Sequence, residues 1–324
     1  MTTVVEQVNA PVPADPAKPA KKAPDVRYLA LRNFAISLSV FNILGYTVLG
    51  FEQPWLWPFL ALATGYTTEI VFEIVSAWAH RTTPRFRGRG PRGFMEFMLP
   101  SHITALAVNM LLYANNQWWP IMFGVIVAVS QKHFLKAPVN GRWRHFMNPS
   151  NFGITVTLLV FGTWVSIAPP YQFTEYANSF FRITVPMLIL MAGTVINAVL
   201  TKRVLLIMGW VGGFAIQALI RHWIWDVALF TAFGAMSGVA FVLYTNYMVT
   251  DPGTTPSKGR AQFMFGSSIA LVYALLMVGN VVYTLFYATT IVCGIRGLGW
   301  WVAHLMRNRR AAAETSAQAA PSGA

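Results

Sequence analysis

Two glutamates, Glu69 and Glu73, stand four residues apart inside an apolar segment, 55–79, long enough to cross a bilayer. Helical geometry puts both on one face, with His80 two turns beyond Glu73 on that same face. A carboxylate inside a membrane costs at least about 2.5 kcal/mol on insertion scales. It therefore turns to the bundle interior and often marks an ion or proton path. The competing account is a structural acid, hydrogen-bonded to a neighbouring helix.

A second chemical cluster lies in 131–151, QKHFLKAPVNGRWRHFMNPSN, which is basic, aromatic and rich in turn formers. Lys132, Arg142, Arg144 and His145 could hold a phosphate-bearing cofactor; equally, such a loop rests against anionic lipid. Its end opens a helix, because Asn148 can cap and Pro149 is tolerated at the first helical position. Asp251-Pro252 is expected to do the same before the ninth apolar segment. Polar-proline breaks at membrane boundaries are the pattern of interrupted helices that line a transport site. Ordinary capping accounts for each one taken alone.

Other matches carry no chemistry. Gly88-Arg89-Gly90-Pro91-Arg92-Gly93 fits GxGxxG, yet no strand precedes it. The six histidines never fall at i, i+3 or i, i+4, so no local metal-ligand pair exists and no metal site is expected. Cys293, the single cysteine, excludes an intrachain disulfide and reads as a buried structural thiol. Neither a nucleophile elbow nor a P-loop occurs.

The elements that must position these residues are membrane helices. Of 324 residues, 55% are hydrophobic and only 11% charged, against about a quarter charged in a soluble domain. Apolar segments fall at 34–50, 55–79, 100–115, 118–134, 149–168, 183–200, 204–220, 227–249, 263–279 and 281–303. The net charge of +13 is not that of a nucleic-acid binder, which gathers its Lys and Arg on one solvated face. Here 21 of the 24 basic residues fall in alternate connections and the two ends, as the positive-inside rule requires for cytoplasmic loops. The expected fold is an all-α integral membrane protein of about ten transmembrane helices with both termini cytoplasmic. Segments 1–30 and 306–324 read as disordered cytoplasmic tails around a transmembrane domain at 31–305. The first is proline-rich and polar, with no apolar core to offset ordering entropy.

Taken in order, these features resemble one family. They are the helix of Glu69 and Glu73 followed by an Arg-rich loop, Arg144-His145-Phe146-Met147-Asn148-Pro149, and Met248-Val249-Thr250-Asp251-Pro252 with Thr254-Thr255-Pro256 after it. Over about residues 30–305 the chain resembles the RnfD/NqrB family, membrane components of the Rnf electron-transport complex and of the Na+-translocating NADH:quinone reductase. Within it, the chain looks most similar to membrane proteins found with enediyne biosynthesis. The resemblance implies a ten-helix component of the bacterial cytoplasmic membrane for redox-linked electron transfer or cation movement. By position, Glu69 or Glu73 would belong to the cation path. Arg142, Arg144, His145, Asn148, Asp251 and Thr254 form the candidate cofactor-binding set. The family carries FMN on a threonine, but the attachment tetrapeptide Ser/Asp-Gly-Ala-Thr is missing; Thr184 and Ala192-Gly193-Thr194 are its nearest echoes. Partners would be the lipid bilayer and other membrane or cytoplasmic subunits, with this chain at most an electron-transferring subunit. The alternatives are a flavin-free membrane transporter and a membrane anchor for biosynthetic enzymes.

Overall fold

The structure is a computed structural model that describes residues 26–139, 141–169 and 178–319. Most of the first expected tail, 1–25, and the last five residues lie outside the described residues. A first group of helices comprises α1 (Val26–Thr47), α2 (Trp57–Ala79), α3 (Gly90–Leu111), α4 (Trp119–Phe134) and α5 (Pro149–Phe161). A second group holds α6 (Ser179–Val195, continued by a π-turn Ile196–Leu200), α7 (Val204–Trp225), α8 (Leu229–Phe233), α9 (Val239–Leu243, continued by a π-turn Tyr244–Met248), α10 (Gly259–Val278) and α11 (Thr284–Ala319). Among the described residues, seven helices are long and apolar enough to cross a membrane; the pair α8–α9, bent by 53°, brings the number to as many as eight. The chain is thus a multi-pass, all-α membrane protein. Helices α4 and α5, with 16 and 13 residues, fall short of the about 20 residues of a full crossing.

Packing repeats between the groups. α1 packs on α3, α2 on α4 and α4 on α5; likewise α6 packs on α9, α7 on α10 and α10 on α11. Counting α8–α9 as one unit, each group has five. The groups meet where α5 packs on α11 and α1 on the π-turn after α6.

The basic connections gather at one end. Arg92 stacks over the Tyr28 ring at 5.0 Å, Trp301 Nε1 donates to the Lys136 carbonyl at 3.0 Å, and Gln262 Nε2 donates to the Lys202 carbonyl at 3.0 Å. The opposite end is closed by a two-residue pair, β1 (Leu112–Tyr113) against β4 (Ser166–Ile167).

Four local features differ from the sequence reading. α3 begins at Gly90, ten residues before the expected boundary, and carries Pro100 in its interior. Hydroxyls add bonds to neighbouring carbonyls: Thr104 Oγ1 donates to that of Pro100 at 2.7 Å and Ser101 Oγ to that of Met98 at 2.9 Å. The connection after α4 is a hairpin, β2 (Lys136–Val139) against β3 (Arg142–His145), turned by Gly141 at φ +75°, a region open to glycine without strain. α11 continues through 306–319, expected as tail, because its alanines and arginines are strong helix formers with no Gly or Pro to stop them. Finally, Asp251 does not cap α10, whose N-cap is Lys258. Its carboxylate instead folds the preceding turn, accepting from Gly253 N at 3.0 Å and Thr254 Oγ1 at 2.8 Å.

Candidate functional site

Glu69 and Glu73 are both buried on the inner face of α2, and each finds a cation from a different element. Lys132, near the end of α4, places Nζ 2.7 Å from Glu69 Oε2. Arg85, from the connection between α2 and α3, reaches Glu73 Oε2 through Nη2 at 2.7 Å and Nε at 2.8 Å. Its backbone N–H also donates to Glu73 Oε1 at 2.6 Å. Arg85 Nη2 lies 3.9 Å from Glu69 Oε1, so one guanidinium bridges both acids. Two carboxylates and two cations form a closed, neutral network. Removing one member of a buried pair leaves an uncompensated charge, which costs about 3–5 kcal/mol. Lys132 is only 13% exposed and fits that case; Arg85, at 58%, is screened by solvent.

The network forms one wall of a cavity of about 980 Å³, at the upper limit of ordinary ligand pockets of about 300–1,000 Å³. Both helix groups contribute. Phe34 comes from α1, His80 from α2, Thr104 from α3, Trp143 and His145 from β3, and Asn148 from the start of α5. The second group supplies Thr201, Tyr247 and Asp251–Gly253. His133 also lines the cavity, with its ring stacked on Phe72 at 5.0 Å and its Nε2 buried without a partner.

The two proline breaks hold this cavity together. Asn148 accepts from Asn151 N at 3.0 Å, capping α5 as its sequence position suggests, with Pro149 in the first turn. Its Nδ2 donates to the Met248 carbonyl at 2.7 Å, tying α5 to the end of the α9 π-turn. In the Asp251 turn, Thr255 Oγ1 donates to the Asp251 carbonyl at 2.6 Å and accepts from Arg203 Nε at 2.9 Å. Arg296 donates to the Thr254 carbonyl. A Cβ on Gly253 would stand 3.3 Å from His145 Nε2, so the imidazole rests directly against this turn. Burial pushes His145 below its ordinary value of 6.5; Asp251 acts against that, and Lys132, Arg144 and Lys136 add to it.

The structure therefore brings Glu69, Glu73, His145, Asn148 and Asp251 to one cavity, from positions spread over most of the chain. It does not bring Arg142 and Arg144, which are exposed on β3, and Thr254 is buried beside the cavity with its hydroxyl committed to Asp251. Lys132 contacts Glu69 rather than standing free for a phosphate. Sequence reasoning missed Arg85 as a site residue and gave Lys132 a phosphate role in place of its pairing with Glu69. Lys132 carried a readable signal, since a lysine inside apolar segment 118–134 needs a buried partner. Arg85 carried none among five arginines of one connection.

An FMN fits this cavity by volume and by its aromatic wall of Phe34, Trp143 and Tyr247, and Lys136 is a lining cation outside the ion pairs. Attachment to threonine does not fit. Thr184 lies in the second turn of α6, which starts at the opposite end of the bundle, and its hydroxyl donates to the Phe180 carbonyl at 2.7 Å. Gly193 of the other echo packs against Asn246 and Tyr247, a role in helix contact. Compared with family models and with curated proteins, the chain matches none.

Proposed function

We propose that this chain is a membrane component of a redox-linked electron-transfer or cation-translocating system resembling the RnfD/NqrB proteins, and that its cavity holds a flavin without a covalent bond. The observation that carries the reading is the cavity itself: it lies between two groups of five helical units that share a packing order, and it joins buried acids, both proline breaks and an aromatic wall. A bound flavin would supply one- and two-electron transfer; the chain would position the ring and exclude water from it. The gathering of the basic connections at one end supports a cytoplasmic placement of that end. With α4 and α5 as short crossings, this gives a reading of ten spans with both termini in the cytoplasm of a bacterial cell. The chain offers no NADH-binding motif and one cysteine, so partner subunits would deliver electrons. The resemblance to proteins found with enediyne biosynthesis supports a role in a natural-product pathway.

Absorption and fluorescence of the purified protein test this reading. Expected is a yellow protein whose flavin is released on denaturation. A colourless protein that also fails to take up added FMN would overturn it.

A second reading, a flavin-free transporter, is favoured by one observation. The 53° break between α8 and α9 is followed by a π-turn that ends at the cavity, and interrupted helices commonly line transport sites. Under this reading Glu69→Gln together with Glu73→Gln abolishes solute uptake by proteoliposomes, and unchanged uptake removes the acids from the mechanism.

A further inference from the structure

Beyond the cavity, a file of polar side chains follows the seam between α1, α2 and α3. Tyr66 lies one helical turn before Glu69, and its hydroxyl is 2.6 Å from His102 Nδ1. On the other side of the ring, His102 Nε2 is 2.8 Å from Ser39 Oγ. The proton positions follow from the third bond. Ser39 Oγ donates to the Ala35 carbonyl at 2.8 Å, so its oxygen accepts from His102, and Nε2 carries the ring hydrogen. Nδ1 of the neutral ring is then an acceptor, and Tyr66 donates to it. The result is a directional wire: Tyr66 O–H to Nδ1, and Nε2–H to Ser39.

The file continues further along the same seam. Asn42 and Tyr46 are on the Ser39 face of α1, and Asn109 lies two turns beyond His102 on α3. Asn109 Nδ2 donates to Asn42 Oδ1 at 2.9 Å and to Tyr46 OH at 3.2 Å. Asn109 Oδ1 is buried with no partner, as are Trp57 Nε1 and both amide atoms of Gln53 nearer the far end. Among the described residues, no acceptor takes the Tyr46 hydroxyl hydrogen. Buried polar atoms left over in this way are normally satisfied by ordered water. Ser39 and Tyr46 are about 10 Å apart along the helix axis at 1.5 Å per residue, a distance that a few waters would span.

We propose that this seam is a proton path, with His102 as its relay, leading from the cavity beside Glu69 toward the opposite end of the bundle. It deepens the cation-translocation reading and rests on it for the driving reaction. When Tyr66 gains a proton from the Glu69 end of the seam, it passes its own to Nδ1; the imidazolium releases the Nε2 proton to Ser39, whose hydroxyl turns from the Ala35 carbonyl and passes its own proton to water near Asn42. One proton enters and one leaves, and rotation of the ring and the two hydroxyls, without back-transfer of the proton, resets the wire. Among the described residues, the hydrogen-bond partners of the ring are two hydroxyls, Tyr66 on α2 and Ser39 on α1, and the ring also stacks on that of Tyr66 at 6.1 Å.

The test uses the full chain in proteoliposomes with a trapped pH-sensitive dye and an imposed potassium diffusion potential. Wild-type vesicles should take up protons, and His102→Gln should slow uptake by about tenfold or more, as for loss of an intramembrane proton relay. Ser39→Ala and Tyr66→Phe conserve packing and should do the same if His102→Gln does not fold. In radiolytic hydroxyl footprinting, Tyr46 should be modified about tenfold faster than Tyr244, since ordered water sits beside it. Tyr244 is fully buried with its hydroxyl bonded to the Leu285 carbonyl. Uptake no faster than in empty vesicles, uptake unchanged by all three variants, or equal labelling of the two tyrosines each overturns the path. Sodium uptake without proton uptake overturns it while preserving cation translocation. Proton uptake by a colourless protein preserves the path and removes the flavin.

Discussion

The two helix groups share a packing order but not a chemistry. Between α1, α2 and α3 lie Asn42, Asn109, His102 and Tyr66, with buried polar atoms still unpaired. In the second group, the contact between α7, α9 and α10 is aromatic. Trp210 is fully buried against Phe214, Phe241, Tyr244 and Tyr273, at centroid distances of 5.4–5.8 Å. Its indole N–H is satisfied by Thr245 Oγ1 at 3.0 Å. α7 and α10 touch backbone to backbone: a Cβ on Gly209 would stand 2.3 Å from the Phe263 carbonyl, and one on Gly266 2.2 Å from that of Leu206. Small residues permit such approach in membranes, where lipid supplies no hydrophobic drive for helix association. The first group strings its polar side chains along one seam; the second is centred on a close-packed aromatic cluster, with the Gln217 amide of α7 buried and unpaired beyond it.

Substitutions should separate the two groups, the largest effects falling on the second. Gly266→Leu cannot be accommodated without parting α7 from α10, so no monodisperse protein should survive size-exclusion chromatography in detergent. Trp210→Ala should cost about 3–5 kcal/mol, the range for large aromatic truncations, read as a fall in thermal midpoint. In the first group, Lys132→Met should cost up to about 3–5 kcal/mol by leaving buried Glu69 with only the longer 3.9 Å contact to the solvent-screened Arg85. Adding Glu69→Gln to that chain should recover most of the loss, and a double-mutant cycle measures the coupling. Additive losses would mean that the pair does not exist in the folded protein. Gly253→Ala should leave the thermal midpoint unchanged and weaken ligand binding several-fold, because its Cβ crowds His145.

The smallest effect is one of pH. Burial lowers the His145 pKa from 6.5, so its neutral ring contributes stability that is complete above the ordinary value. That contribution is lost as the pH falls below it and through the lowered folded value. Between pH 7 and pH 5 the thermal midpoint of the wild type should fall more than that of His145→Gln. Equal slopes would place the imidazole in solvent.

Legibility followed the range of the interactions. Glu69 and Glu73 were readable as an inward-facing pair because four residues is one helical turn. Asn148 was readable as a cap because capping is local. The Asp251 turn misled because a polar residue before proline carries the same local signature whether it caps a helix or folds a tight turn. Pro100 misled for a related reason: a proline is a probable boundary, yet α3 continues through it. The Arg142 and Arg144 pair looked like a binding face on charge alone, and the hairpin directs both outward.

Sequence by itself determined the membrane class, the apolar segments and the gathering of basic residues in alternate connections, since each depends on composition along a single stretch of chain. Tertiary structure alone decided that Lys132 and Arg85 neutralise the two glutamates, that both proline breaks meet at one cavity, and that His102 stands between Tyr66 and Ser39. Those contacts join residues 12 to 100 positions apart. Helix packing brings them together, and no local periodicity encodes it.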